Sequence, residues 1–298
     1  MRIVKPNFEI WEQSAGLEGV YKQIERVGRV CYKSEDKITE DSAKPFVDRM
    51  IKSGHGAMLE HGTVYLKITY KDTNFTTLCM FYGKNKYSVL NHSEDNKIYY
   101  ITTNYRVLVE NNHLSDLKYL CEPSEFHEKR ITVHFVCDRG VSHEFVRHRV
   151  MSFAQESTRY CNYSKDKFGN ELTFIKPCWL DIPTGQYVYW DGDWCDINKM
   201  KIQLPEGEHK GIDAFLWTLN NAETHYTLLI NSGWKPQEAR AILPNSLKTE
   251  LVVTGFTSDW KHFFGLRAIG TTGAPHPQAK ELAEPLMKEF IARKYIDN

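Results

Sequence analysis

The sequence predicts an α+β fold in a single domain. Three observations predict it. Strand-like alternation and helix-like periodicity both recur along the chain, no glycine-rich dinucleotide fingerprint follows a strand, and repeats and low-complexity segments are absent. At 298 residues, 41% apolar and 26% charged, the chain has ample material for a core.

Residues 16–29 place Leu17, Val20, Ile24 and Val27 at helical spacing, and residues 40–53 do the same with Phe46, Val47, Met50 and Ile51. Gly54 and Gly56 then break the chain around His55. Alternation in 63–70 (Val64, Leu66, Ile68) predicts a half-buried strand, and a second strand is expected over Tyr100 to Val109 before a polar, weakly patterned region. Residues 130–137 alternate through Ile131, Val133, Phe135 and Cys137. Asp138-Arg139-Gly140 reads as a turn, with Ser142 as the N-cap of a short helix running into Arg147-His148-Arg149. The stretch 181–210, with Pro183, Gly185, Gly192 and Pro205, reads as a long loop or surface insertion. Helices are expected over 212–232, from Pro236, over 258–266, and from Pro277 with a kink at Pro285.

Charge balance narrows the function. With 38 basic and 38 acidic residues the net charge is zero, which argues against bulk nucleic-acid binding. Seven dispersed cysteines without a C-x-x-C pair exclude a zinc knuckle and fit reduced thiols in the cytoplasm. The first thirteen residues are too polar for a signal peptide, and no apolar run is long enough to span a bilayer.

Against this neutral background, Arg147, His148, Arg149, Ser157 and Arg159 crowd three guanidiniums, an imidazole and a hydroxyl into a short span. Phe145, Val146, Val150, Met151 and Phe153 are interleaved with them, so the arginines are rooted in a core and point into a cleft. Arginine forks match phosphate oxygens bidentately, so a phosphate-bearing ligand is expected. No metal is expected. His143 and His148 are five apart, about 140° around a helix at ~100° per residue, and His55 with His61 lacks a third ligand. Without a G-x-S-x-G elbow, Ser157 reads as a phosphate donor rather than a triad nucleophile. Arg240 in EARAILP and Arg267 in HFFGLR stand in apolar company, where an arginine is either an ion-pair partner or a second contributor to the same cleft.

Arg147-His148-Arg149 followed after seven residues by Ser157 resembles the signature of the flavin-dependent thymidylate synthases. RVCYKS (29–34), SGHGAMLEH (53–61), EARAILP (238–244), HFFGLRA (262–268) and HPQA (276–279) resemble further family blocks in the family's order. Residues 84–128 and 181–210 carry little of the resemblance and read as insertions into one domain spanning 1–298. The resemblance implies an α+β fold with a central antiparallel sheet packed by helices, and active sites formed between subunits of a homotetramer. It implies reductive methylation of dUMP to dTMP, with methylenetetrahydrofolate as carbon donor, FAD as hydride carrier and NADPH as reductant, without an enzyme nucleophile.

Residue by residue, the resemblance assigns FAD to Arg147, His148, Arg149, Gln155, Ala57, Glu60, His262 and His276. It assigns dUMP to Glu144, Arg147, Gln155, Glu156, Ser157, Thr158, Arg159, Arg240 and Arg267. Arg267, Ser157 and His55 stand at catalytic positions, with Arg267 against the uracil, where a fixed guanidinium stabilises charge developing on the ring. Ala57, Gln155, His262 and Cys31 depart from residues common in the family. Two other classes compete. One is a nucleic-acid module using Tyr160, Tyr163 and Phe168 as stacking platforms. The other is a different nucleotide enzyme such as a phosphohydrolase, which would need a metal or carboxylate constellation.

Overall fold

The computed structural model describes residues 1–73, 75–95, 97–205 and 209–297. Its centre is a four-stranded antiparallel sheet in the order Asn7–Trp11, Arg130–Asp138, Lys248–Phe256, Ser152–Gln155. The two long strands pair along their whole length, from Lys248 opposite Asp138 to Phe256 opposite Arg130. Alternation does the work the sequence predicts. Ile131, Val133, Phe135 and Cys137 join Leu251 and Val253 on one face. Against that face pack Trp260, Phe263 and Phe264 of the helix Thr257–Phe264, and Leu282, Leu286 and Phe290 of the helix Pro277–Ala292. On the opposite face Val252 and Ala154 meet Val27 and Val30 of the helix Gly16–Tyr32.

Trp260 is fully buried and its indole N–H donates to the Ile131 carbonyl at 3.1 Å. Trp260→Ala should therefore cost about 3–5 kcal/mol in urea unfolding, and a loss below about 1 kcal/mol would contradict its place in the core.

Two smaller units flank this sheet. Thr63–Thr69, Ile98–Asn104 and Val89–Ser93 form an antiparallel sheet that buries Leu66, Tyr99 and Ile101 against Val20, Ile24, Phe46 and Val47. The strand Arg2–Val4 pairs in parallel with Thr173–Ile175, and Phe174 packs against Leu216 and Leu219 of the helix His209–Asn231.

Most predicted elements stand where the pattern put them, and three need correction. The strand expected over Tyr100–Val109 ends at Asn104, whose side chain accepts from the Val107 amide at 3.1 Å and caps a helix Tyr105–Glu110. The apolar run Val107-Leu108-Val109 imitates a strand, but its first two residues are buried on a helix. The stretch 181–210 is not one loop, because Val188–Trp190 and Asp193–Cys195 form a hairpin with Trp194 in a core; residues 206–208 lie outside the described ones. Residues 84–128 supply two strands of the second sheet, Val89–Ser93 and Ile98–Asn104. Ser142 is not the N-cap the sequence suggests. The helix Arg139–Phe145 is capped instead by Asp138, which accepts from the Val141 amide at 2.7 Å. The last helix runs unbroken through Pro285.

Candidate active site

The central strands end beside the arginine cluster. Gln278 donates to the second oxygen of the capping Asp138 at 2.8 Å, which ties the C-terminal helix to the start of Arg139–Phe145. That helix stops at Phe145, whose ring lies 5.0 Å from both Phe135 and Phe263. Arg147-His148-Arg149 therefore stands in the following turn rather than on the helix. Contrary to the expectation of arginines pointing into a cleft, Arg147 and Arg149 are exposed on the chain's surface and only His148 is buried.

Arg267 organises this corner from the turn Gly265–Ile269 that follows Thr257–Phe264. Its Nε donates to His148 Nε2 at 3.1 Å, Nη2 donates to the Glu144 carbonyl at 3.0 Å, and Nη1 pairs with the Glu144 carboxylate. Because His148 Nε2 accepts, the neutral ring carries its proton on Nδ1, and that atom is buried without a partner. Burial, together with the Arg267 and His262 charges, pushes His148 down to about 4. The His262 ring lies 5.8 Å from it, and His262 itself is exposed.

The sign of the His148 shift predicts a pH effect on stability. Unfolded histidine titrates near 6.5, so between there and about 4 the unfolded chain holds the extra proton. Stability falls as pH drops through that window, before most carboxylates titrate. His148→Gln should flatten part of the fall in urea midpoint between pH 7 and pH 4.5, and an unchanged pH slope would contradict the assignment.

The second group lies where the strand Ser152–Gln155 leaves the sheet. Gln155 Nε2 donates to the hydroxyls of Ser142 at 2.8 Å and Thr249 at 3.3 Å. The Ser157 amide donates to the Cys31 carbonyl at 3.0 Å, which anchors the loop on the end of helix Gly16–Tyr32. Arg240, in the turn after the short helix Pro236–Ala239, donates to Thr158 Oγ1 at 3.2 Å. Thr158 and Arg240 thus meet from 82 residues apart, with Ser157 and Arg159 beside them. Arg2, Arg26, Arg29, Arg106, Arg267 and Arg293 each meet a carboxylate. Arg147, Arg149, Arg159 and Arg240 have no carboxylate partner among the described residues. For Arg240 the ion-pair alternative is therefore gone, whereas Arg267 is in an ion pair.

Glu156, expected at the nucleotide, has both carboxylate oxygens engaged inside the protein. Its side chain is 1% exposed, with Oε1 accepting from Tyr163 at 2.9 Å and Oε2 from Lys248 at 2.9 Å. Lys248 also pairs with Glu250, which accepts from Lys33 at 2.7 Å and His134 at 3.0 Å. Burial alone would raise the Glu250 carboxyl, but the His134 hydrogen bond and the two lysine charges hold it well below the usual range. The sequence analysis missed this network. Its signal was the pair Lys248 and Glu250, two apart and so on one face of an apolar strand. Tyr163 is buried and tied to Glu156, so it cannot serve as a stacking platform for nucleic acid.

The remaining expected residues stand apart. His55 and Ala57 are exposed around the short helix Gly56–Leu59, and His55 lines a groove with Tyr32 and Phe46. Glu60 accepts from Arg106 at 2.6 Å. His276, exposed at the start of the last helix, packs its ring 6.0 Å from Trp179. One protomer assembles Glu144, His148, His262 and Arg267 in one corner and Thr158 with Arg240 in another. His61 is structural, buried with Nδ1 2.8 Å from the Thr254 hydroxyl.

Residues 73–293 match the family described as thymidylate synthase complementing protein. The chain belongs to that family. The signature and the blocks holding Arg240 and Arg267 fall inside the matched span, while RVCYKS and SGHGAMLEH precede it. The flavin-dependent thymidylate synthase of Pyrococcus furiosus is 31% identical over 160 residues, 54% of this chain and 53% of that protein. That of Corynebacterium aurimucosum is 23% identical over 281 residues, 93% of this chain and 78% of the relative. The chain spans about half the length of the Pyrococcus and Thermococcus relatives it matches. A solved structure of the UMP/dUMP methylase PolB from Streptomyces cacaoi aligns with a TM-score of 0.44 at 16% identity, covering 98% of this chain and 93% of that one. No helix among the described residues is long and apolar enough to cross a membrane.

Proposed function

We propose that this chain is a flavin-dependent thymidylate synthase, which methylates dUMP reductively to dTMP. In this reading methylenetetrahydrofolate donates the carbon, FAD carries the hydride and NADPH reduces the flavin. The observation that carries it is that the arginines of the two corners, Arg147 and Arg149 beside Glu144–Arg267–His148 and Arg159 and Arg240 beside Thr158, have no carboxylate partner among the described residues. These guanidiniums are exposed and free of internal counter-charges, so their forks are open to anionic ligands. The residues fit FAD on one further ground, since His148 Nδ1 is a buried donor without a partner.

Arg147, His148 and Arg149 would hold the flavin, with Gln155, Ala57, Glu60, His262 and His276 as further contacts. When bound, FAD supplies hydride transfer. Ser157, Thr158, Arg159 and Arg240 would hold the nucleotide phosphate through hydroxyl and guanidinium donors. Glu144 orients Arg267, and Arg267 presents fixed positive charge to the pyrimidine as negative charge develops on it. His148 is neutral at pH 7 and acts as an acceptor for Arg267 and a donor toward its ligand. Ser157 binds and performs no nucleophilic attack. His55 would stack near the flavin and folate rings.

The exposure of His55, Arg147, Arg149 and Arg159 on one protomer supports active sites completed between subunits of a homotetramer. Seven free thiols support a cytoplasmic enzyme. Product analysis tests the reaction. With FAD, NADPH, methylenetetrahydrofolate and dUMP present, dTMP should accumulate, and omission of any one should abolish it. No dTMP from the complete mixture would overturn the assignment.

A further inference from the structure

Resting on this reading, the structure assigns a second anion site to the cleft between the Glu60 turn and residues 84–111. The cleft is about 370 Å³, within the size range of small-ligand sites. Its wall is a ladder in which Arg106 meets both nearby carboxylates, Glu60 at 2.6 Å and Glu110 at 2.8 Å. That ladder leaves one negative charge uncompensated, whereas the exposed Lys84 and Lys86, on the same cleft, add two positive charges and have no carboxylate partner among the described residues. The lining therefore carries one positive charge in excess that no described residue neutralises. Tyr87 adds a half-buried ring, 5.0 Å from Lys86 Nζ.

Gly56 links this cleft to the residues expected around the flavin. A Cβ there would meet Arg106 Nε at 2.9 Å and Glu110 Oε1 at 3.0 Å, so the absent side chain lets the ladder lie directly on the turn carrying His55 and Ala57. The site's occupant is the anionic part of a cosubstrate that must reach the flavin: the phosphates of a pyridine nucleotide or the glutamate carboxylates of a folate. Both offer negative charge joined to an aromatic group, which suits lysines beside a tyrosine.

Calorimetric titration of the full chain with FAD tests this, using NADP⁺, 5-formyltetrahydrofolate and dUMP as probes. Lys84→Glu with Lys86→Glu should weaken one of the first two probes by about tenfold or more and leave dUMP affinity within about twofold. Loss confined to NADP⁺ identifies a phosphate site, and loss confined to the folate identifies a carboxylate site. Lys84→Gln with Lys86→Gln should give a smaller loss of the same probe, which covers the case in which charge reversal disturbs folding. Unchanged affinity for both probes with dUMP binding intact overturns the site alone. Failure of the unmodified protein to bind dUMP overturns the reaction reading and the site with it.

Discussion

Arg267→Ala is expected to lower turnover by about 10²–10³-fold while weakening dUMP by less than about tenfold. One guanidinium there satisfies three acceptors: the Glu144 carboxylate, the Glu144 carbonyl and His148 Nε2. Its removal takes positive charge from where negative charge would develop on the pyrimidine. It also leaves Glu144 unpaired and frees the imidazole to rotate. In the proposed reading phosphate binding rests instead on the Ser157–Arg159 loop and Arg240, with which Arg267 has no hydrogen bond among the described residues, so ground-state affinity should survive. Arg267→Lys should rescue little, because one ammonium cannot span three acceptors in a fixed fork. Steady-state kcat set beside dUMP affinity decides the matter. Equal losses in both would make Arg267 an anchor rather than a group acting on the reacting ring.

A loss of stability as large as that of Trp260→Ala is expected from Lys248→Met. Lys248 joins the buried Glu156 to Glu250, and Glu156 would keep only the Tyr163 hydroxyl. Breaking one partner from a buried pair costs about 3–5 kcal/mol, because the remaining charge has neither water nor a counter-ion. Adding Glu156→Gln should restore a large part of that loss, since the uncompensated charge is then gone. Glu156 directly precedes Ser157, so the single variant should also weaken dUMP. Urea unfolding of the single and double variants gives the answer, and a cost below about 1 kcal/mol for Lys248→Met would show that the network does not hold the loop.

Sequence pattern was most legible where burial follows a simple period. Ile131, Val133, Phe135 and Cys137 share one sheet face because side chains alternate, and the helix around Val20, Ile24 and Val27 shows its apolar stripe directly. It failed where a local cue had two meanings. Val107-Leu108-Val109 suits a strand or a buried helix turn, and only the Asn104 cap decides between them. Asp138 and Ser142 are both good caps, and the structure uses the first. Within the site, the arginines announced themselves by their spacing. What sequence could not show was partnership across the chain. Glu144 and Arg267 are 123 residues apart, and Lys33 and Glu250 are 217 apart, so only the sheet and its packed helices bring them together.

The most direct measurement of the central claim is the visible spectrum of the purified chain with FAD, recorded anaerobically as NADPH and dUMP are added. The account predicts a bound flavin spectrum that bleaches with NADPH and recovers when methylenetetrahydrofolate follows. A protein that binds no flavin at any concentration would contradict it, and would leave the unpaired arginines to a different anionic ligand.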